Sequence, residues 1–77
     1  MKVDNVNQNL IGKRVSCVFT GLKTTGVVIA IVEDKYSKGV RIKLDNPVNW
    51  GGTYYKEYES TARKFDSWGN LSHTELI

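Results

Sequence analysis

A run of six apolar residues, from Val27 to Val32, constrains the fold of this chain more than any other feature. Every residue of the run except Ala30 is β-branched. Such side chains lose rotamer freedom in a helix but pack well on a pleated surface, so the run predicts a β-strand. Because apolar side chains occupy both alternating sets of positions, we expect a central strand that is covered on both faces of its sheet.

Shorter alternating segments predict strands on either side of this run. Residues 14–19 place Val15, Cys17 and Phe19 at alternate positions, a period of two that indicates one buried face. Residues 40–45 alternate more regularly, with apolar side chains at even positions and charged side chains at odd positions. Both segments therefore predict strands with one face toward the core.

Turn-forming residues separate these segments. Glycine, asparagine, serine and proline cluster between the apolar runs, where they favour reversals of the chain. They predict a loop over 20–26, a reversal over 36–39, an end to the third strand at Asn46–Pro47, a long connector over 48–52, and a hairpin turn over 67–70 before a last strand over 71–76.

Residues 53–66 fit two patterns. Apolar side chains from Tyr55 to Phe65 recur at helical spacings, which favours an amphipathic helix. Aromatic residues and threonine prefer strands, and the first half of the segment also alternates. The extended form is favoured, at least over 61–66, and a short helix within 53–62 remains an alternative.

Five short strands and little helix in 77 residues predict a mainly β fold, a small five-stranded barrel with a thin core. Residues 1–9 are mostly polar and predict a loose N-terminal arm. The folded domain is therefore assigned to residues 10–77.

The stretch from Gly12 to Leu44 resembles the first three strands of SH3-like barrels of the KOW and Tudor type. Glycines at positions 12, 21, 26 and 39, with the valine and isoleucine positions between them, carry the resemblance. The chain differs in having no second glycine between Gly21 and Gly26 and in a longer connector over 46–60. The resemblance implies an SH3-like barrel and, as an expectation only, binding of nucleic acid.

Several kinds of site are not expected. Cys17 is the only cysteine and His73 the only histidine, which excludes an internal disulfide and zinc sites built on several cysteines or two histidines. No phosphate loop, paired-carboxylate signature or nucleophile motif is present, so we expect no catalytic residue, metal, cofactor or enzyme activity. No apolar run approaches about 18 residues, and no apolar leader begins the chain, so we expect a cytoplasmic protein without membrane contact.

Basic residues are concentrated in the first half of the chain. The net charge is +3, but residues 13–43 hold seven basic side chains against only Glu33 and Asp34. If these side chains share one sheet face, they can hold a phosphate backbone with an affinity that falls as salt rises. The alternative is that they are solvated residues that protect strand edges. The candidate nucleic-acid-binding residues are Lys13, Arg14, Lys23, Lys35, Lys38, Arg41 and Lys43.

Aromatic residues are concentrated in the second half, where six of the eight lie between Trp50 and Trp68. Exposed rings beside cations stack unpaired bases, and tryptophan and tyrosine are also frequent in protein interfaces. We expect about half of these rings in the core. Glu57 and Glu59 repel phosphate and favour a protein or small ligand at this segment. The candidate stacking or interface residues are Trp50, Tyr54, Tyr55, Tyr58, Arg63, Lys64 and Trp68.

These features predict a non-enzymatic binding module whose leading partner is nucleic acid or a nucleoprotein. A second hypothesis is a protein-interaction or inhibitor module that binds a host protein through residues 50–68. The short single-domain layout resembles small accessory proteins of bacteriophages and other mobile elements. A third hypothesis is a small-ligand or nucleotide binder whose pocket forms between the subunits of a homo-oligomer.

Overall fold

The computed structural model describes residues 1–64, 69–71 and 73–77. The strands are β1 (Arg14–Phe19), β2 (Leu22–Glu33), β3 (Ser37–Trp50), β4 (Thr53–Arg63) and β5 (Glu75–Leu76). They form one antiparallel sheet in the order β4-β3-β2-β1-β5. The prediction of a mainly β fold with five strands is confirmed, but the last strand is Glu75–Leu76 and does not begin at residue 71.

Two-residue turns join β1 to β2 and β3 to β4. Thr20 and Gly21 have φ angles of 52° and 82°, and Gly51 and Gly52 have φ angles of 59° and 83°. Positive φ at both central residues is typical of type I′ turns, whose twist matches that of the flanking strands. The strands therefore continue up to each turn, and the predicted loop over 20–26 is strand beyond its first two residues.

β3 continues through Asn46–Pro47, where the sequence predicts its end. Its pairing with β4 is irregular at this point, so the proline, which has no N–H, is accommodated where the ladder is interrupted. Beyond the irregularity, residues 48–50 pair with residues 53–55. The predicted connector is thus one arm of a hairpin.

The strand directions define two ends of the sheet. β1 and β3 run the same way because each is antiparallel to β2, so the turns at 20–21 and 51–52 lie at one end, which we call the aromatic end. The β2–β3 turn at residues 34–36 begins two residues earlier than predicted and lies at the opposite end. The end of β4 is there too, since the Lys64 N–H donates to the Tyr36 carbonyl at 3.0 Å. We call this the ion-paired end.

Residues 53–63 are extended along their whole length, so the alternating pattern is confirmed and the helical alternative is wrong. The strand pairs with β3 in two stretches, residues 57–63 and 53–55. This pairing satisfies backbone groups of both strands, whereas a helix at 53–62 would leave one edge of β3 without a partner.

The core lies on one face of the sheet, the inner face. Val15, Cys17, Val28, Val40 and Ile42 are each at most 1% exposed. Directly paired residues in adjacent strands share a face, and the pairing of Val28 with Ile42 continues this buried row from β2 to β3. The alternating apolar positions predicted for β1 and β3 are therefore the buried positions.

The opposite, outer face of β2 is not covered by any residue that the structure describes. Ile29 is 37% exposed, and Val27, Ala30 and Val32 are only partly buried. The prediction that both faces of this strand are covered is therefore wrong. β2 is central within its sheet, but the described residues that pack on it do so on the inner face.

Residues 1–10 pack against the sheet and are not a loose arm. They form two single-turn 3₁₀ helices, Val3–Asn5 and Gln8–Leu10, which contact β4 and β2 respectively. The ammonium group of Met1 donates to the Thr74 carbonyl and to Glu75 Oε1, both at 2.7 Å. The buried residues of this segment are Met1, Val3, Val6 and Leu10. Val3, Val6 and Leu10 are spaced by three and four residues, which is a helical spacing, but four asparagine and glutamine residues among them favour a loose arm in the sequence.

Backbone pairing does not close the sheet into a barrel in the described part of the chain. β4 pairs with β3 and β5 pairs with β1, and no ladder joins β4 to β5. The two edges are linked instead by a buried hydrogen bond of 2.7 Å between the hydroxyls of Ser60 and Thr74. Residues 1–3, which continue into the first 3₁₀ helix, bond to residues 69–71. Side chains and the N-terminal segment thus fill the place where a closed barrel would have a ladder.

Candidate binding surface

The seven candidate nucleic-acid-binding residues do not form one patch. Their strand positions put four on the outer face, one on the inner side and two in loops. The outer-face residues are Arg14, Lys23, Arg41 and Lys43, while Lys38 pairs with Ala62 on the inner side, Lys35 lies in the β2–β3 turn and Lys13 precedes β1.

Arg14 is held by a carboxylate on the outer face. Its Nη2 lies 2.6 Å from Asp45 Oδ2 and its Nη1 lies 3.3 Å from Oδ1, while the Thr25 hydroxyl also donates to Oδ2 at 2.6 Å. The hydrogen bonds from Arg14 and then Thr25 hold the pKa of Asp45 below its ordinary value. The positive charge of Arg14 is thus matched within the chain.

The other two central cations of this face lie opposite carboxylates in the strand register. Arg41 Nε donates to Glu59 Oε1 at 3.0 Å, and a second hydrogen bond from its Nη2 reaches the same oxygen. Lys43 is the direct cross-strand partner of Glu57. The centre of the outer face is therefore nearly balanced in charge, which weakens its attraction for a phosphate backbone.

The ion-paired end has a similar balance. Lys64 Nζ lies 2.6 Å from Glu33 Oε2, and this contact lowers the pKa of Glu33. The Asp34 carboxylate accepts from the N–H groups of Tyr36 and Ser37 at 2.8 and 2.7 Å, which lowers its pKa. A shallow cavity of about 270 Å³ opens here, and its carboxylates already have partners within the chain.

Two further candidates, Arg63 and Lys64, belong to this ion-paired end. Arg63 is the cross-strand partner of Ser37, and Lys64 is bonded to Tyr36 through its backbone. The sequence suggested that these cations accompany the aromatic residues. The structure separates them, because β4 runs from the aromatic end to the ion-paired end.

At the aromatic end, three rings form a packed cluster on the inner face. The ring centroid of Phe19 lies 5.3 Å from that of Tyr55 and 5.2 Å from that of Tyr58, with interplanar angles of 56° and 68°. Phe19 and Tyr58 also pack against the core. Tyr58 is therefore a core residue, and together with Phe19 it supports Tyr55 from below.

The hairpin beyond this cluster exposes aromatic side chains on both of its faces. Trp50 is 57% exposed, Tyr54 67% and Tyr55 38%. Tyr55 pairs with Val48, Tyr54 pairs with Asn49, and Trp50 pairs with Thr53. Because side chains alternate along a strand, Trp50 and Tyr55 share the face of the buried Val48, and Tyr54 lies on the other face.

No acidic residue lies in the two hairpin segments of the aromatic end. Residues 16–32 and 46–56 contain no aspartate or glutamate. They contain Lys23 and Lys56, both exposed, and neither forms an ion pair with any residue that the structure describes. This end of the sheet therefore combines exposed rings with cations that have no ion-pair partner among the described residues.

Two residues of this surface, Leu22 and Lys56, are not among the candidates that the sequence indicates. Leu22 is 55% exposed and pairs directly with Phe19. The sequence predicts a loop at this position, because only the backbone shows that residues 20–21 form a two-residue turn. Lys56 lies directly beside Tyr55, and that adjacency is the signal that could have identified it.

The candidate Trp68, together with Phe65, lies outside the described residues. Within the described residues, no group of three or more histidine, cysteine, aspartate or glutamate side chains could hold a metal ion. Cys17 is buried, and burial raises the pKa of its thiol. No helix in the described part of the chain has the length and hydropathy needed to span a membrane.

Comparison with known proteins places the chain in a family without assigning an activity. No curated protein and no solved structure matches it significantly. One family model, described as a domain of unknown function (DUF7258), matches residues 1–76. Since that match covers nearly the whole chain, the protein belongs to the DUF7258 family.

Proposed function

We propose that the chain is a non-enzymatic nucleic-acid-binding module whose contact surface is the aromatic end. The observation that carries the proposal is the exposed pair Trp50 and Tyr55 on a hairpin segment, residues 46–56, that contains Lys56 and no carboxylate. Aromatic rings offer stacking surfaces worth about 1–3 kcal/mol per base. Lysines without internal partners remain available for phosphates.

The domain is, in this proposal, an SH3-like module. Four strands follow one another as a meander, and the fifth strand returns beside the first. The hydrogen bond between Ser60 and Thr74 draws the two sheet edges together, which supports a barrel-like curvature. Fold by itself does not imply function, so the argument for nucleic acid depends on the surface and not on the strand order.

Charge pairing moves the proposed site away from the outer sheet face. A phosphate that binds Arg14 or Arg41 must displace Asp45 or Glu59, and those carboxylates would then repel it. Lys56, and Lys23 where the outer face reaches the aromatic end, carry no such cost within the described part of the chain. The aromatic end is therefore the better match for a polyanion.

The test is a salt titration of binding to a labelled single-stranded oligonucleotide. We expect log K to fall linearly with log[salt], and Lys56→Gln to make the slope shallower by about 0.7, the contribution of one phosphate contact on a single strand. Arg41→Gln is the matched control. It removes a cation that Glu59 already holds, and we expect its slope to equal that of the unmodified protein.

Failure to bind at low salt contradicts the proposal, as does a binding constant that is independent of salt. Equal changes of slope in Lys56→Gln and Arg41→Gln would return the contact surface to the sheet face. Circular dichroism of both variants checks that the fold is unchanged.

A protein partner is a second candidate for the same surface, and Leu22 is the observation that favours it. Leucine has no π face for a base, yet this side chain is 55% exposed beside the aromatic cluster. A protein interface buries such a residue. A partner that remains bound at high salt and is released by Leu22→Ala would support this candidate over nucleic acid.

A further inference from the structure

We propose that the aromatic end takes an unpaired stretch of nucleic acid on one face of the β3–β4 hairpin only, the face of Trp50 and Tyr55. This inference rests on the proposed function and specifies its ligand. The opposite face, with Tyr54, stays outside the contact although Tyr54 is the most exposed aromatic side chain that the structure describes.

The register of the hairpin places the rings of Trp50 and Tyr55 close together. Trp50 pairs with Thr53, and Tyr55 pairs with Val48, so the two rings are diagonal neighbours on one face. Diagonal positions across two strands are about 7–8 Å apart, which is within reach of aromatic side chains. Trp50 and Tyr55 are therefore close enough to contact neighbouring bases of one strand.

Contact with the ring cluster distinguishes Tyr55 from Tyr54. The ring centroid of Tyr55 lies 5.3 Å from that of Phe19, and Phe19 packs in turn against Tyr58 and the core. The Tyr55 ring is thus held in place before a ligand arrives, which lowers the entropy lost on binding. Tyr54 has no ring contact among the described residues, and its cross-strand partner Asn49 is itself exposed.

The choice of unpaired over duplex nucleic acid follows from where the free charges lie. Bases in a duplex are stacked on each other, and exposing one costs a few kcal/mol. A duplex must therefore be held mainly by its backbone, and the outer sheet face that could do so has its arginines paired with Asp45 and Glu59. An unpaired segment offers base faces without that cost.

The experiment compares one labelled oligonucleotide of about ten nucleotides, within the usual site sizes of single-strand binders, with the duplex of the same sequence. We expect the duplex to bind at least tenfold more weakly. Trp50→Ala and Tyr55→Ala should each weaken single-strand binding by about tenfold, the loss of one stacked base. Tyr54→Ala is the matched control, with an expected change below about twofold, and Trp50→Phe should retain most of the affinity because it keeps a π face.

Two outcomes overturn the inference while leaving the proposed function standing. One is duplex binding as tight as single-strand binding. The other is a loss in Tyr54→Ala as large as that in Trp50→Ala. Absence of binding to both oligonucleotides overturns the proposed function itself, so the two failures are distinguishable.

Discussion

The two ends of the sheet differ in whether their polar and aromatic side chains have partners within the chain. At the ion-paired end, Glu33 is bonded to Lys64, and Asp34 accepts two backbone N–H groups. At the aromatic end, Trp50 and Tyr54 are more than half exposed, and the hairpin segments contain no acidic residue. Groups with partners inside the chain support the fold, whereas groups without them are available to a ligand.

Backbone packing differs between Gly39, near the ion-paired end, and the hairpin turn of the aromatic end. A Cβ added at Gly39 would collide with the carbonyl oxygen of Ser60 in β4. A Cβ added at Gly51 or Gly52 in the turn would meet nothing within 4 Å. The strand at Gly39 is thus closely approached by β4, whereas the turn has open space around it.

The largest effect is expected from Gly39→Ala. The added methyl must displace the β4 backbone, so we expect the free energy of unfolding to fall by about 3 kcal/mol. Gly52→Ala is the control, with open space but a φ of 83°, and its cost should be about 1–2 kcal/mol. Urea unfolding measures both values, and equal losses would show that crowding does not distinguish the ends.

A smaller effect on stability should distinguish the ring cluster around Phe19 from the exposed ring of Trp50. Phe19→Ala removes a ring packed between Tyr55, Tyr58 and the core, so we expect a loss of about 2 kcal/mol, or a fall in Tm of about 10 °C. Trp50→Ala removes a ring that is 57% exposed and should change stability by less than about 0.5 kcal/mol. A large loss of Tm in Trp50→Ala would mean that this ring supports the fold and is not held free for a ligand.

The smallest effect is the part of the pH dependence of stability that originates at the ion-paired end. Hydrogen bonds from Tyr36 and Ser37 lower the pKa of Asp34, and the contact with Lys64 lowers that of Glu33. The unfolded chain then binds more protons than the folded chain near the ordinary pKa values of 3.8 and 4.5. These carboxylates therefore stabilise the fold above about pH 5, and that contribution is lost as pH falls through their lowered values.

Asp34→Asn tests this source directly, because an amide oxygen can still accept the two N–H groups but does not titrate. We expect the decline in unfolding free energy between about pH 5 and pH 3 to become shallower in this variant. Lys56→Gln, at the aromatic end, should leave the decline unchanged. An identical pH profile in Asp34→Asn and the unmodified protein would place the titrating groups elsewhere.

Much of the fold could be predicted from local pattern. The strands around Val15, Val28 and Ile42 follow from β-branched residues and alternation, because these properties act within a few residues of the chain. The burial of residues 1–10, in contrast, could not be predicted from local pattern. Its apolar side chains are few and lie among polar residues, and contacts with Gly69, Leu71, Thr74 and the sheet bury them.

The sequence predicted which residue types form the candidate site but not how they are arranged. The sequence identified Trp50, Tyr54 and Tyr55 as aromatic candidates, and the structure shows them exposed on one hairpin. It did not separate their faces, and it did not predict that Arg63 and Lys64 lie at the other end of β4. Both facts depend on strand direction and pairing, which no short window of sequence contains.

The sequence by itself determined the strands of the sheet and the segregation of basic from aromatic residues. Tertiary structure alone decided which charges meet. Continued regularly from the Gly51–Gly52 turn, the β3–β4 pairing would put Lys43 opposite Ser60, but the irregularity that contains Pro47 shifts its partner to Glu57 and that of Arg41 to Glu59. The shift depends on how many residues leave the ladder while Val48 stays buried, and this is settled by packing across the whole sheet. The basic character suggested by composition is balanced there, and the surface free to bind is the aromatic end.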